Sequence, residues 1–114
     1  MLIAGHDHLL DHWVEHYTDP SDGKTYRMDA VVTGGGGAPQ YSYSSEPDLA
    51  SYAAANAAQK VRVDHLTHPG PAPENLHHFL VVQVDGSHLS IEVVALGGAP
   101  YTPYAGKTRI SLDD

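Results

Sequence analysis

Cysteine is absent from this chain of 114 residues. That excludes disulfides and thiolate metal sites, and it leaves the redox compartment unreadable. Basic side chains are scarce, six against 14 acidic ones, for a formal net charge of −8 with histidine neutral. Such a balance repels phosphate backbones and anionic lipid, so nucleic acid and membrane surfaces are excluded as main partners. A small anionic substrate would need a bound cation to offset the same field. No uninterrupted apolar run is long enough to span a bilayer. Nor is a secretory signal visible, because Met1 is followed at once by a short apolar run and then by His6 and Asp7. There is no internal repeat, low-complexity tail or linker, and the length suits one domain over residues 1–114.

What the chain has in excess is histidine, nine in all. Imidazole is the commonest metal-ligating side chain, so the spacing of these residues is the first thing to read. His6 and His8 stand one residue apart in Gly5-His-Asp-His8. On extended backbone both rings project from one side, and at a strand end they can splay toward two metals. Asp7 between them could hold a ring in one tautomer. A chance His-x-His on a surface loop is the competing reading. His8, His12 and His16, with Asp11 and Glu15 between them, form a second pattern spaced by four. On a helix His12 and His16 would share a face and could chelate one ion with help from Asp11, but a solvated helix face is the preferred reading. His77 and His78 are adjacent, so on a strand their rings point to opposite faces.

The periodicities predict the elements that carry these residues. Leu2 to Ala4 reads as the end of a buried strand, and Leu9 to Tyr17 as a helix, with apolar residues at 9, 10, 13, 14 and 17. Thr18 to Gly23 is a turn cluster. Thr25 to Thr33 is a strand that runs into Gly34-Gly-Gly-Gly37, where the missing Cβ atoms suit a close backbone approach. This glycine run could cradle a phosphate through its N–H groups, but it fits neither the Walker nor the dinucleotide fingerprint and reads better as a loop beside a site. The alanine-rich stretch Asp48 to Lys60 predicts a helix, with Pro47 near its first turn and Asp48 near its positive end. Val61 to Val63 opens a strand, and His68 to Pro73 is a rigid loop. His77 to Val84 and His88 to Leu96 form a hairpin around Asp85-Gly86, and Lys107 to Leu112 is a last short strand. The sum is an α+β fold, mostly antiparallel β-sheet with one or two short helices. Two short helices cover little sheet, so an exposed face or edge is expected, buried by another chain.

The succession of Gly5-His-Asp-His8, Asp22-Gly23 with Tyr26, Val31 to Pro39 (VVTGGGGAP), His77 to Gly86 (HHFLVVQVDG) and Leu89 to Val94 resembles the C-terminal third of calcineurin-like metallophosphoesterases, particularly the purple acid phosphatase branch. The resemblance spans the chain apart from residues 40–75. It implies half of a metallophosphoesterase-type β-sandwich, and divalent or trivalent metal ions (Zn, Mn or Fe), two of them in the parent family. It also implies a phosphate ester as small-molecule substrate. Carried over, His6 would bind the second metal and His8 the first, with Gly34, Gly35, Gly36 and Gly37 beside the substrate. The family's earlier ligand motifs, Asp-x-His, Gly-Asp and Gly-Asn-His, do not occur in these residues. The expectation is therefore a truncated C-terminal region whose remaining ligands come from a missing N-terminal half, from His12, His16 or Asp11, or from a second copy in a homo-oligomer. The alternative is a histidine-rich, metal-binding, self-associating module without catalysis.

Overall fold

The computed structural model describes residues 1–41, 48–67, 76–98 and 100–113. The expected loop at 68–73 and the first-turn proline at position 47 lie outside the described residues. The architecture is α+β, with two β-sheets packed face to face and a short helix on the outer side of the first. That sheet is built from β1 (Leu2–Ala4), β2 (Leu10–Thr18), β3 (Thr25–Thr33) and β4 (Arg62–His65), in the order β1-β3-β2-β4. β1 runs parallel to β3, and β2 is antiparallel to both β3 and β4. The second sheet holds β5 (His78–Asp85), β6 (His88–Ala95) and β7 (Arg109–Ser111), all antiparallel in the order β5-β6-β7. Helix α1 (Leu49–Ala55) is capped by Asp48, whose carboxylate accepts from the Ser51 amide at 3.0 Å. A 3-10 turn at Ala57–Gln59 continues it. No helix among the described residues is long and apolar enough to cross a membrane.

The helix expected over Leu9 to Tyr17 is a strand instead. β2 pairs residue for residue with β3 from Leu10↔Thr33 to Thr18↔Thr25, and from Trp13 to His16 with β4 as well. As a central strand it has neighbours on both edges, and this tertiary pairing overrides a local spacing that fits a helix. Its side chains alternate: Leu10, His12, Val14 and His16 face the second sheet, while Asp11, Trp13, Glu15 and Tyr17 face outward toward α1. The Tyr52 hydroxyl of α1 donates to Glu15 at 2.7 Å and ties the helix to that outer face.

The core lies between the sheets. Leu10 and Val31 from the first meet Ile91 and Val93 from the second, and Tyr104 closes over them. Alternation in the β5–β6 hairpin sends Leu80, Ile91 and Val93 inward, while Phe79, Gln83 and Glu92 face out. The hairpin turns where expected, with Asp85 paired to His88 and Gly86 at φ 59°, a left-handed value that glycine adopts without strain.

Candidate functional site at the carboxyl ends of two parallel strands

The parallel pairing of β1 with β3, and the antiparallel return of β2, bring three strand ends together. Residues 5–9 leave β1 and enter β2 beside the point where β3 runs into its glycines. The two loops lock through backbone. The Gly34 amide donates to the Leu9 carbonyl at 3.0 Å, and the Leu9 amide donates to that of Asp7 at 2.9 Å. A Cβ on Gly34 would stand 2.0 Å from the Asp7 carbonyl oxygen, so only glycine fits. Gly35 is equally confined: its Cβ would stand 2.4 Å from Nδ1 of the buried His78 ring. Gly36 and Gly37 face open space.

Within this corner His8 is held on several sides. Its Nδ1–H donates to the Pro39 carbonyl at 3.0 Å, its ring stacks on Tyr41 with centroids 4.5 Å apart, and its own carbonyl accepts the Tyr41 amide at 2.8 Å. With Nδ1 spent on a carbonyl, Nε2 is the ring nitrogen suited to a metal, the arrangement in which a second hydrogen bond fixes tautomer and ring orientation. His6 is exposed and takes φ 90°, a conformation uncommon for a non-glycine residue. Asp7 is exposed beside it. His77 and His78 divide as alternation demands. His77 is exposed, with Nδ1 3.3 Å from the Gly35 carbonyl, whereas His78 is buried, donating from Nδ1 to the Leu76 carbonyl at 2.7 Å and lying 3.2 Å from the Thr33 hydroxyl at Nε2. Burial lowers the His78 pKa, against the opposing hydrogen bond to Leu76, so the ring stays neutral.

His12, His16 and Asp11 lie away from this corner. His12 is fully buried between the sheets. Its Nε2–H donates to Asp29 at 2.9 Å, so its Nδ1 accepts the Tyr104 hydroxyl at 3.1 Å. Arg27 completes the chain, donating from Nε and Nη2 to the Asp29 carboxylate at 2.9 Å each. Burial pulls the His12 pKa down more strongly than Asp29 pulls it up, so His12 is neutral. Burial pushes the Asp29 carboxyl up, but the hydrogen bonds from Arg27 and His12 outweigh it and hold the group ionised. Tyr104 is pushed well above the ordinary phenol range by burial, and Tyr101 to about 12. The histidine at position 12 is thus a core hydrogen-bonding group. His16 sits at the far end of β2, 3.8 Å from Asp64.

Asp11 points to the opposite face from both histidines. There it accepts the Trp13 indole N–H and the His65 Nε2–H, each at 2.5 Å, and the Thr67 hydroxyl at 3.2 Å, while the His65 ring stacks on Trp13 at 3.6 Å. The structure therefore brings His6, His8 and the Gly34–Gly37 loop together, adds His77, Gln40 and Tyr41 to the same corner, and distributes Asp11, His12 and His16 elsewhere. Among the described residues no three His, Cys, Asp or Glu side chains converge as a metal-binding group. Comparison of the chain with models of protein families, with curated proteins and with solved structures found no match.

Proposed function

We propose that this chain contributes the His6–His8 half of a metal-dependent phosphoesterase centre. The observation that carries the reading is the locked pair of loops at the carboxyl ends of β1 and β3. It sets an oriented imidazole, His8, next to an exposed one, His6, and next to the open backbone of Gly36 and Gly37. His8 would bind a Zn, Mn or Fe ion through Nε2 and His6 a second ion. When bound, such a metal pair supplies activated water and neutralises charge on a phosphate mono- or diester. The Pro39 carbonyl orients the His8 ring, and the glycine loop leaves room for the ester. Two imidazoles hold a divalent ion weakly, because zinc centres use three or four protein ligands. The remaining ligands come from another polypeptide segment or from a second copy of the chain.

A second reading, a metal-binding, self-associating module without turnover, is favoured by β1. Met1, Leu2 and Ile3 are 50%, 58% and 45% exposed, an apolar edge suited to pairing between copies. One set of measurements separates the two: metal content, mass-resolved size exclusion and aryl phosphate hydrolysis with Zn²⁺, Mn²⁺ or Fe, on the parent chain and on His6→Ala/His8→Ala. Turnover lost in the double variant supports the phosphoesterase reading. Metal-dependent oligomers without turnover support the module. Metal content unchanged by the double substitution rules out both.

A further inference from the structure

Each sheet ends in two edge strands, and of these four only β5 is both long and uncharged. β1 and β7 have 3 residues each and β4 has 4, with Arg62 and Asp64 on β4 and Arg109 on β7. β5 has 8 residues, and from His78 to Val84 it carries no Asp, Glu, Lys, Arg or Pro. Its pairing with β6 runs without a bulge from His78↔Ala95 to Asp85↔His88. Charge, proline, bulges and shortness keep an edge from pairing with another chain, and β5 has none of them.

The unspent backbone of this edge can be assigned residue by residue. The Leu96 amide donates to the His77 carbonyl at 2.8 Å, so odd-numbered residues of the strand turn their N–H and C=O toward β6 and even-numbered ones turn away. His78 has the matching phase: its amide points away from β6 and donates to the Gly35 carbonyl at 3.2 Å. Among the described residues nothing takes the outward backbone groups of Leu80, Val82 and Val84. Their side chains lie on the inner face, where the first sheet leaves Val82 37% and Val84 71% exposed.

We propose that β5 pairs with β5 of a second copy of this chain, antiparallel and about a two-fold axis through Val82. The free residues are symmetric about Val82, so the register sets Val82 against its own copy and Leu80 against Val84 in both directions. Every outward N–H and C=O of these residues is then matched. An axis normal to the sheet keeps both inner faces on one side, and the apolar row Leu80, Val82, Val84 continues into its copy. Two grounds select a second copy over an unrelated strand. The free stretch is bounded by the glycine loop at one end and the turn at Gly86 at the other, and a second β5 is bounded in the same way. Charge permits it as well. Two chains of −8 repel wherever carboxylates meet, but β5 brings only Asp85 to the seam. Its two copies stand about 20 Å apart, beyond a Debye length of about 8 Å at physiological salt. The pairing uses a different strand from β1, needs no metal, and stands whichever reading of the His6–His8 corner holds.

The test is the mass of the full chain in EDTA by light scattering, with cysteine cross-linking to read the register in a chain that has no cysteine of its own. Twice 12.2 kDa is expected, and the amides of Leu80, Val82 and Val84 should exchange with solvent as slowly as those bonded to β6. Val82→Lys sets two like charges opposite one another at the axis and should weaken the dimer at least about tenfold. Under mild oxidation Val82→Cys should cross-link, since its two α-carbons stand about 5.5 Å apart. Val84→Cys, at the more exposed position, should not, because its copies stand about 13 Å apart. If Val82→Lys unfolds, the two cysteine variants still decide the register. A monomer at about 1 mM would give the edge to a different chain and overturn the proposal. So would an open-ended series of oligomers, an undiminished dimer in folded Val82→Lys, or cross-linking of Val84→Cys as complete as that of Val82→Cys.

Discussion

Replacing Asp29 by alanine removes the acceptor on which the polar chain inside the sandwich depends. Three N–H groups converge on this carboxylate at 2.9 Å: Nε and Nη2 of Arg27 and Nε2 of His12. Without it, Arg27 loses its counter-charge and the His12 donor is stranded in a site with 0% exposure. Removing one partner of a buried ion pair costs about 3–5 kcal/mol, and a buried unmatched donor costs about 1–3 kcal/mol. The two losses share one network and do not add. Arg27 also retains 21% side-chain exposure and can partly rehydrate, so about 4 kcal/mol is expected for Asp29→Ala. That is a large share of the 5–15 kcal/mol that holds a typical domain together. Asp29→Asn keeps one acceptor oxygen, which serves His12, but loses the charge and sets an NH2 donor against Arg27 in place of the second oxygen, and should cost about 2 kcal/mol. Urea unfolding at neutral pH, followed by fluorescence of the lone Trp13 and fitted with a common slope, measures both. A loss below about 1 kcal/mol for Asp29→Ala would refute the claim that this carboxylate organises the interior.

Acid should weaken the fold in stages. Burial holds His12 and His78 below 6.5, so as pH falls through that value the unfolded chain takes protons that the folded chain refuses, and stability drops. Asp29, held below 3.8, gives up its contribution only at lower pH, as its folded value is crossed. A urea midpoint that stays flat or rises below pH 6.5 would contradict these assignments. Gly34→Ala and Gly35→Ala should each destabilise by about 1–3 kcal/mol or more through overpacking. Gly36→Ala, whose Cβ meets nothing within 4 Å, should be near neutral in the same urea unfolding. Ile91→Ala, at a position with 0% exposure, should cost about 2–5 kcal/mol, and a smaller loss would mean that the sheets are not packed on Ile91.

The parts of the fold that were legible in the sequence are those set by local chemistry. Thr25 to Thr33 is a strand to the residue, the hairpin turns at Asp85-Gly86, and Asp48 caps the alanine-rich helix. Leu9 to Tyr17 misled because β2 is central and buries polar side chains on both faces. Asp11 and His12 count as solvent-facing in any hydrophobic pattern, yet both are buried against hydrogen-bonding partners. The glycine run was readable as a place of close backbone approach, and at Gly34 and Gly35 it is one. That it closes on Asp7 and His78 depends on strand order, which no local spacing encodes. The Arg27–Asp29–His12–Tyr104 chain was unreadable for a related reason: Tyr104 lies 92 positions from His12. The one available signal was Asp29, an acid in the middle of a strand that otherwise continues into Ala30, Val31 and Val32.

The way the chain is apportioned between the sheets bears on how it folds. Strands β1 to β4 end at His65 and strands β5 to β7 begin at His78, so each sheet is assembled from one uninterrupted stretch of chain. The second sheet closes through its own short hairpin, and the first closes within its own stretch although β2 must reach β4 at Trp13↔His65, so the contacts between the two halves are left to their docking. The hydroxyl of Tyr104, delivered from the second half, meets His12 only once the halves have docked. This one bond therefore marks the last event of assembly, and its two amino acids should show low φ-values while the hairpins show high ones.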